Sequence, residues 1–573
     1  MPDLTPNQVG SRRRMAVATV LVAFALALPT AASAAPPGTT AVQLLAINDF
    51  HGNLQPPSGS SGRVGATLAG GVEYLATTVK TLKATNPNGT IEVAAGDLIG
   101  ASPLLSAAFH DEPTIEAMNA LGLDISAVGN HEFDEGVDEL LRIQNGGCHP
   151  VDGCQDGDPY DGAAFQYLAA NVVRKSNGKP IFPAYKVRSV GGAKVGFIGL
   201  TLEGTPSIVT PSGVASVNFL DEADTINAAT AALKAKDVHT IVVLIHEGGA
   251  QSTALSETSI NTCDGMSGAI VPIVANLDPE VDVVISGHTH NAYTCALPNS
   301  VGTNIAVTSA SSFGRLVTDI DMTINRASDQ PTAITVNNRI VTRDVALDPA
   351  ETAIVTKYNT AIAPIANRVV GSITSDITRA STGAGESALG DVIADAQLEA
   401  SQSDGAQLAL MNPGGIRADL TYSQISGGEQ PREVTYGEAF TVQPFNNLVA
   451  TEDLTGAQIK TVLEQQFCNA ALTAPRLNVI LQPSAGFAYS WDSTQACGSK
   501  TSALSLNGVP IDPAATYRVT MNNFLADGGD GFPEFTHGTN RVTRGFDVDA
   551  FADYLGAHAP VPPGPRNRIA RIA

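Results

Sequence analysis

The sequence predicts a mixed α/β protein of two domains, a larger N-terminal one followed by a smaller α/β one. Three observations carry this. Short apolar runs of strand character alternate with amphipathic helical stretches through the first half. At 573 residues the chain exceeds what one ordinary hydrophobic core supports. Composition and motifs change after a helical stretch near residue 350, where a linker is expected.

The elements follow in order. Arg12-Arg13-Arg14 precede an apolar run at 15–28, and Ala32-Ser33-Ala34 forms an A-x-A cleavage site. Residues 1–34 therefore read as a signal peptide, with the twin-arginine route open beside the general one. No second apolar span follows, so a free exported protein without a stable membrane anchor is expected. The first domain is assigned to 41–342. Residues 42–47 form a strand that ends in Asn48-Asp49-Phe50-His51-Gly52. Asp49 and His51, two apart, share one side of an extended chain. Residues 70–83 have helical spacing, with Val72, Leu75, Val79 and Leu82 on one face. A strand at 91–95 leads into Gly96-Asp97, and 114–121 suits a short helix.

A buried strand at 123–128 then delivers Gly129-Asn130-His131-Glu132-Phe133-Asp134. Taken alone, this run reads equally well as a capped helix start. Read chemically, Asn130 offers a neutral oxygen, and Asp134 holds the His131 imidazole in one tautomer and favours its charged form. Residues 146–161 form a Gly/Asp-rich surface loop in which His149 is expected to be exposed. A strand at 194–200, a helix at 221–235 and a strand at 239–245 ending in His246 follow. The strand at 281–285 ends in Ser286-Gly287-His288-Thr289-His290. A linker helix is expected over 346–370. It starts at Asp348-Pro349-Ala350-Glu351 and presents Ile354, Tyr358, Ile362, Ile365 and Val369 on one face. Pro364 should kink or end it. The second domain is assigned to 371–560.

The formal charge is -23 and the body of the chain has no Lys/Arg-rich block, which argues against a polymeric nucleic acid partner. A small anionic substrate is compatible if metals and a few arginines create local positive charge. Six cysteines in an exported chain favour disulfides. Sequence proximity suggests Cys148–Cys154, Cys263–Cys295 and Cys468–Cys497. Neither G-x-S-x-G nor a P-loop occurs, so a serine hydrolase and a P-loop ATPase are unsupported.

Five strand-like runs thus end in Asp49/His51, Asp97, Asn130, His246 and His288/His290, and five of the ten histidines fall in these motifs. The set resembles the calcineurin-like metallophosphoesterases, with motifs D-x-H, G-D, G-N-H-E/D, H and G-H-x-H, over residues 43–316. The resemblance implies a four-layer α/β/β/α domain and two divalent metal ions. One would be held by Asp49, His51, Asp97 and His290, the other by Asp97, Asn130, His246 and His288. Carboxylates mixed with imidazoles suit Zn, Mn, Fe or Co better than Ca. His290 stands where some members of the family have Gln.

The second half adds Asn412-Pro413-Gly414-Gly415-Ile416-Arg417, Gln443-Pro444-Phe445, Asn522-Asn523-Phe524 and Gly528-Gly529-Asp530-Gly531. These resemble the C-terminal domain of the 5'-nucleotidase family, which includes periplasmic UDP-sugar hydrolases. By that resemblance Arg417 binds phosphate, Phe445 and Phe524 sandwich the base, Asp530 binds ribose hydroxyls and Asn412 contacts the substrate. Arg379 is the nearest match to the family's further arginines, although a Gly-containing insertion separates it from Leu389. Phe most often ends in a core, but the polar, Gly-rich surroundings of Phe445 and Phe524 argue for exposure. Trp491 reads as core.

The resulting expectation is an exported dimetal phosphohydrolase. It would use His131 and Asp134 as a catalytic pair to cleave the 5'-phosphate from nucleotides, without an obligate protein partner. The same site could serve UDP-sugars or 2',3'-cyclic nucleotides. A non-catalytic nucleotide-binding surface protein is the reading from another class, and the complete ligand set argues against it.

Overall fold

The computed structural model describes residues 36, 38–57, 59–468 and 479–573. The expected signal peptide lies outside them. The strand Thr39–Ile47 pairs parallel with Thr90–Ala95 on one side and antiparallel with Leu316–Asn325 on the other. It is therefore interior to its sheet and buried on both faces, as its apolar run requires. That sheet has six strands, in the order Gln330–Ile340, Leu316–Asn325, Thr39–Ile47, Thr90–Ala95, Ile125–Ala127 and Gln166–Leu168. A second six-stranded sheet runs Ala292–Pro298, Asn304–Ala310, Val281–Ser286, Thr240–His246, Ala193–Thr201 and Tyr185–Val190.

The inner faces of both sheets meet in one core that contains Leu44, Ala46, Val93, Phe197, Leu244 and Val283. Leu75, Val79, Ile115 and Met118 bring the helices Val72–Lys83 and Glu112–Leu121 onto the outer face of the first sheet, against Leu45 and Ile47. Ile226, Leu233 and Ile270 do the same for Glu222–Lys234 and Ile270–Ala275 on the second. The layers are thus α/β/β/α. Each fully buried side chain of this size contributes about 1.5–3 kcal/mol, so a register slip that exposed one face would be costly.

The helix after these layers spans Pro349–Ala366, and Asp348 caps it by accepting from the Ala350 and Glu351 N–H groups. It is shorter than the expected 346–370. It stops two residues past Pro364, and Val369–Ser372 becomes a strand against Glu433–Thr435. Ile365 and Val369 are consequently exposed, while Val355, Tyr358 and Ile362 are buried. The core that begins in the N-terminal helices passes through this helix to Val392, Ile393, Phe440 and Phe551.

Beyond it lies a five-stranded sheet, in the order Gln482–Pro483, Leu408–Met411, Thr516–Asn522, Leu448–Thr455 and Thr539–Phe546. A four-stranded sheet adjoins it. Its strand Ile569–Arg571 runs parallel to the Tyr489–Trp491 segment, so this half continues past the expected boundary at 560. The Arg568 guanidinium secures that end, donating to both Asp395 carboxylate oxygens at 2.8 and 2.7 Å. Trp491 is core. All three expected disulfides are present. Among the described residues, no helix is long and apolar enough to cross a membrane. His149 departs from expectation: its side chain is 14% exposed and stacks on His110.

Candidate active site

Five parallel strands of the two sheets end at one edge, where open α/β sheets place their ligands. The residues just past or at those ends are Asp49, Asp97, Asn130, His246 and His288. Close approach there demands glycine. A Cβ on Gly129 would stand 2.1 Å from Asp97 Oδ1, and one on Gly287 would stand 2.9 Å from both Asp49 Oδ2 and His246 Nδ1. The backbone is also held in an uncommon region: Asp49, His51, Asp97, His288 and His290 have φ of 49°, 47°, 49°, 70° and 57°. Such left-handed conformations cost energy in non-glycine residues and cluster where function over-determines them.

Two polar residues brace this arrangement. The Glu132 carboxylate accepts from the N–H groups of Asp97 (3.0 Å), Leu98 (2.8 Å) and Gly129 (2.5 Å), fastening two strand ends together. Burial and the nearby Asp97 push its carboxyl up to about 7, against the pull of those donors. Asn48 donates to Asp49 Oδ2 at 2.6 Å and to Ser311 O at 2.7 Å, while its Oδ1 accepts from the Ala310 N–H at 2.7 Å. Neither brace was singled out from sequence, although Glu132 lies within the central hexapeptide and Asn48 directly before Asp49.

The candidate ligands form two overlapping groups. His51 Nε2 is 3.1 Å from His290 Nε2, 3.6 Å from Asp97 Oδ2 and 3.9 Å from Asp49 Oδ1. His290 Nε2 is 3.3 Å from Asp49 Oδ1. His246 Nε2 is 2.9 Å from Asp97 Oδ2, and His288 Nδ1 is 3.0 Å from Asn130 Oδ1. Asp97 is grouped both with His246 and His288 and with His51 and His131.

These atoms fit metal ions on chemical grounds. His51 Nδ1 donates to Gly100 O and His246 Nδ1 to Ala95 O, so in each neutral ring Nε2 carries a lone pair. Both Nε2 atoms face carboxylate oxygens. Burial opposes charge on His246, but Asp97 and Asp49 lift its pKa to about 10, so Nε2 holds a proton unless a metal ion takes its place. Burial and the neighbouring imidazoles hold His51 well below its usual range despite Asp97, so it stays neutral. Lone pairs facing carboxylates repel unless a cation lies among them, and bonds of about 2.0–2.2 Å to imidazole nitrogen and carboxylate oxygen suit this spacing. The charge of Asp97 is secure: burial opposes it, but His246 and His131 hold that carboxyl well below the ordinary range.

His131 stands beside these groups. Its Nδ1 donates to Asp134 Oδ2 at 2.8 Å and its backbone N–H to Asp97 Oδ1 at 2.8 Å. Burial opposes a charged ring, but Asp134 and Asp97 outweigh it and raise the pKa. Nε2 is left as the ring's remaining polar atom. A cavity of about 460 Å³ opens here, lined by Asp97, His131, His288, His290, Phe313, Arg315, Arg379 and Arg417.

The second half of the chain closes over this cavity. The Phe445 ring lies 5.7 Å from that of His131 at 22°, and the Arg417 guanidinium is 5.7 Å from the Phe445 centroid. Burial lowers the Arg417 pKa, although Asp97, Asp134 and Asp49 counter it. Arg379 Nη1 donates to Arg417 O at 2.7 Å, which sets the two arginines side by side despite the insertion before Leu389. Asn412 Nδ2 donates to Asp530 Oδ2 at 2.7 Å and its Oδ1 accepts from Asn522 at 2.9 Å. Phe524 packs against Gly529, where a Cβ would come within 2.4 Å of the ring. Phe445 and Phe524 are both half-buried rather than core. Among the described residues their rings do not stack on each other. Phe313 and Arg315 went unnoticed in sequence. Phe313 edges onto His290 at 5.3 Å, and burial drops the Arg315 pKa to about 10. Their only signal was the Ser-Ser-Phe-Gly-Arg break after a strand.

Comparison with known proteins agrees with this architecture. Residues 42–292 match the calcineurin-like phosphoesterase family model, and 364–537 match that of the 5'-nucleotidase C-terminal domain. The chain is 32% identical over 530 residues to Endonuclease YhcR of Bacillus subtilis, covering 91% of this chain but only 40% of that protein. It is 32% identical over 544 residues to Cell wall protein Lmo0130 of Listeria monocytogenes, covering 90% of this chain and 67% of that one. The crystal structure of a 5'-nucleotidase precursor from Thermus thermophilus superposes with a TM-score of 0.75 at 28% identity, covering 93% of this chain and 99% of that one. The chain therefore belongs to the 5'-nucleotidase family, with a calcineurin-like phosphoesterase domain followed by a 5'-nucleotidase C-terminal domain.

Proposed function

We propose that this protein is an exported, metal-dependent phosphohydrolase that removes the 5'-phosphate from nucleotides. One observation carries the reading: Phe445 and Arg417, from the second half, lie directly over His131 and the carboxylate–imidazole groups of the first. A nucleotide placed there would meet a planar partner for its base and a charged partner for its phosphate at the same time.

Asp49, His51, Asp97 and His290 would hold one divalent ion, and Asp97, Asn130, His246 and His288 the other. Such a pair, when bound, supplies positive charge that polarises a phosphate and acidifies water. The chain's own groups do the rest. Arg417, with Arg379 beside it, takes the phosphoryl oxygens through charge-assisted, planar hydrogen bonds. His131 holds a proton at Nε2 for the developing charge on the phosphoryl or leaving oxygen, and Asp134 fixes the tautomer through Nδ1. Phe445 and Phe524 stack the base, worth about 1–3 kcal/mol per base. Asp530 takes the ribose hydroxyls, and Asn412 beside it contacts the substrate. Export is supported by the signal-like N-terminus, by the three disulfides and by a relative named as a cell wall protein.

A second cavity of about 340 Å³ shares Arg379, Arg417 and Phe313 with the first. It favours a second reading, in which the phosphorus carries another substituent, as in UDP-sugars or 2',3'-cyclic nucleotides; one relative is named as an endonuclease. Chromatographic product analysis with metal-quantified protein in Mn²⁺ or Zn²⁺ tests both readings: AMP would give adenosine and phosphate, UDP-glucose would give UMP and glucose 1-phosphate, and 2',3'-cyclic AMP would open to a monophosphate without releasing phosphate. Fastest turnover of AMP supports the first. No turnover of any of the three, with metal bound, leaves a nucleotide-binding protein.

A further inference from the structure

Outside the cavity, two imidazoles stack face to face. The rings of His110 and His149 lie 3.8 Å apart and 16° from parallel. They come from separate segments. His110 follows the turn of helix Leu104–Ala107 and has a left-handed backbone, with φ of 50°. His149 sits next to Cys148, in the loop closed by Cys148–Cys154. Neither residue takes part in the proposed reaction.

Carboxylates surround the pair. His110 Nδ1 donates to Glu135 Oε2 at 2.8 Å, and its Nε2 is 3.0 Å from Asp152 Oδ2. His149 Nδ1 is 3.3 Å from that same Asp152 oxygen and accepts the Asp152 N–H at 3.1 Å, a hydrogen bond that an ion at Nδ1 would displace. His149 Nε2 is 4.0 Å from Glu139 Oε2. The acids are not equivalent. Arg142 engages Glu139 through Nε and Nη2 and Glu112 through Nη1, which neutralises those two. Among the described residues, no Lys or Arg pairs with Glu135 or Asp152. Burial opposes charge on His110, yet Glu135, Asp152 and Glu139 lift its pKa to about 9, which reports a strongly negative local field.

Ligand atoms of His110, Glu135 and His149 all lie within 4.8 Å of one another. Two imidazoles and a carboxylate make a donor set suited to borderline divalent ions, Zn²⁺ foremost. We propose that His110, Glu135 and His149 form a peripheral Zn²⁺ site, separate from the groups around Asp97; taking the ion turns the two stacked rings out of parallel, because each in-plane lone pair must point at one centre. The ion replaces the proton of His110, so binding releases that proton. It would join three segments: the corner at His110, the turn that follows Asp134, and the disulfide-closed loop. Asp111, next to His110, accepts the Gly100 N–H at 2.9 Å, and Gly100 O accepts from His51. The clamp thus fastens the loop to the backbone that supports the main site.

The test uses the full chain loaded with Zn²⁺, freed of loose metal by gel filtration, with metal counted by mass spectrometry and melting followed beside it. His149→Gln and Glu135→Gln should each lose about one Zn²⁺ per chain and lose part of the Zn²⁺-dependent rise in Tm. His246→Ala, in the main site, should keep that ion. Near-UV circular dichroism checks folding, and His110→Gln replaces either variant that does not fold. Wild-type Zn²⁺ content in the folded peripheral variants overturns the proposal. So does a metal loss confined to His246→Ala. If wild type binds only the ion that His149→Gln removes, the peripheral site stands and the dimetal reading falls instead.

Discussion

Phe445 stacks on His131, centroid to centroid at 5.7 Å and 22°. One ring belongs to the second domain and the other to the strand-end turn of the first. The ring proposed to stack the base and the imidazole proposed to hold the proton are thereby adjacent. Phe445→Ala should lower kcat/KM for AMP about 5- to 150-fold, the equivalent of losing a stack worth about 1–3 kcal/mol. Ribose 5-phosphate, which has no base, should be cleaved as by wild type within about twofold. Equal losses on both substrates would mean that the ring acts through His131 instead.

His131→Ala should cut kcat about 10²- to 10⁴-fold while metal content stays at the wild-type level. A fall in metal would make His131 a ligand. Asp134→Asn is a subtler probe. Burial works against a charged His131, and Asp134 with Asp97 raises its pKa above the ordinary value. Removing the Asp134 charge lowers that pKa, so the alkaline limb of the kcat profile should move to lower pH.

Glu132→Ala strands three buried donors, the N–H groups of Asp97, Leu98 and Gly129. Each unmet donor costs about 1–3 kcal/mol, so urea unfolding should show a loss of at least ~3 kcal/mol. Metal occupancy should fall with it, because Asp97 and Asn130 lose their shared anchor.

In metal-stripped protein, His110 makes stability depend on pH. Its folded pKa is raised to about 9 from 6.5. The group therefore stabilises fully below its unfolded pKa, and the contribution disappears as pH rises from 6.5 towards 9. The Tm of wild type should fall more steeply across that window than the Tm of His110→Gln. Zn²⁺ should flatten the wild-type slope, since the proton is then already gone.

Five strands of the first domain were legible because each announced itself twice, by an apolar run and by the Asp, Asn or His at its end, whereas Leu316–Asn325 and Gln330–Ile340 carry no such mark and were not expected. The linker helix was legible at its start, where Asp348 and Pro349 cap it, but not at its finish. Pro364 lies in the last turn and tolerates helix up to Ala366. What lay after it depended on Glu433–Thr435, a segment distant in sequence, offering a strand partner. The end of the chain was missed for the same reason: Ile569–Arg571 is a strand only because the Tyr489–Trp491 segment accepts it.

By itself, the sequence determined which polar residues stand at the strand ends: the spacing of Asp49, His51, Asp97, Asn130, His131, His246, His288 and His290 relative to those ends is local information. Only the tertiary structure decided what those residues meet. The Nε2 atoms of His51 and His246 face Asp97, Phe445 covers His131, and His110 stacks on His149. The physical reason is distance along the chain. Strand ends follow from neighbours a few residues away, whereas these encounters join segments far apart in sequence, and only packing of the sheets and helices sets them.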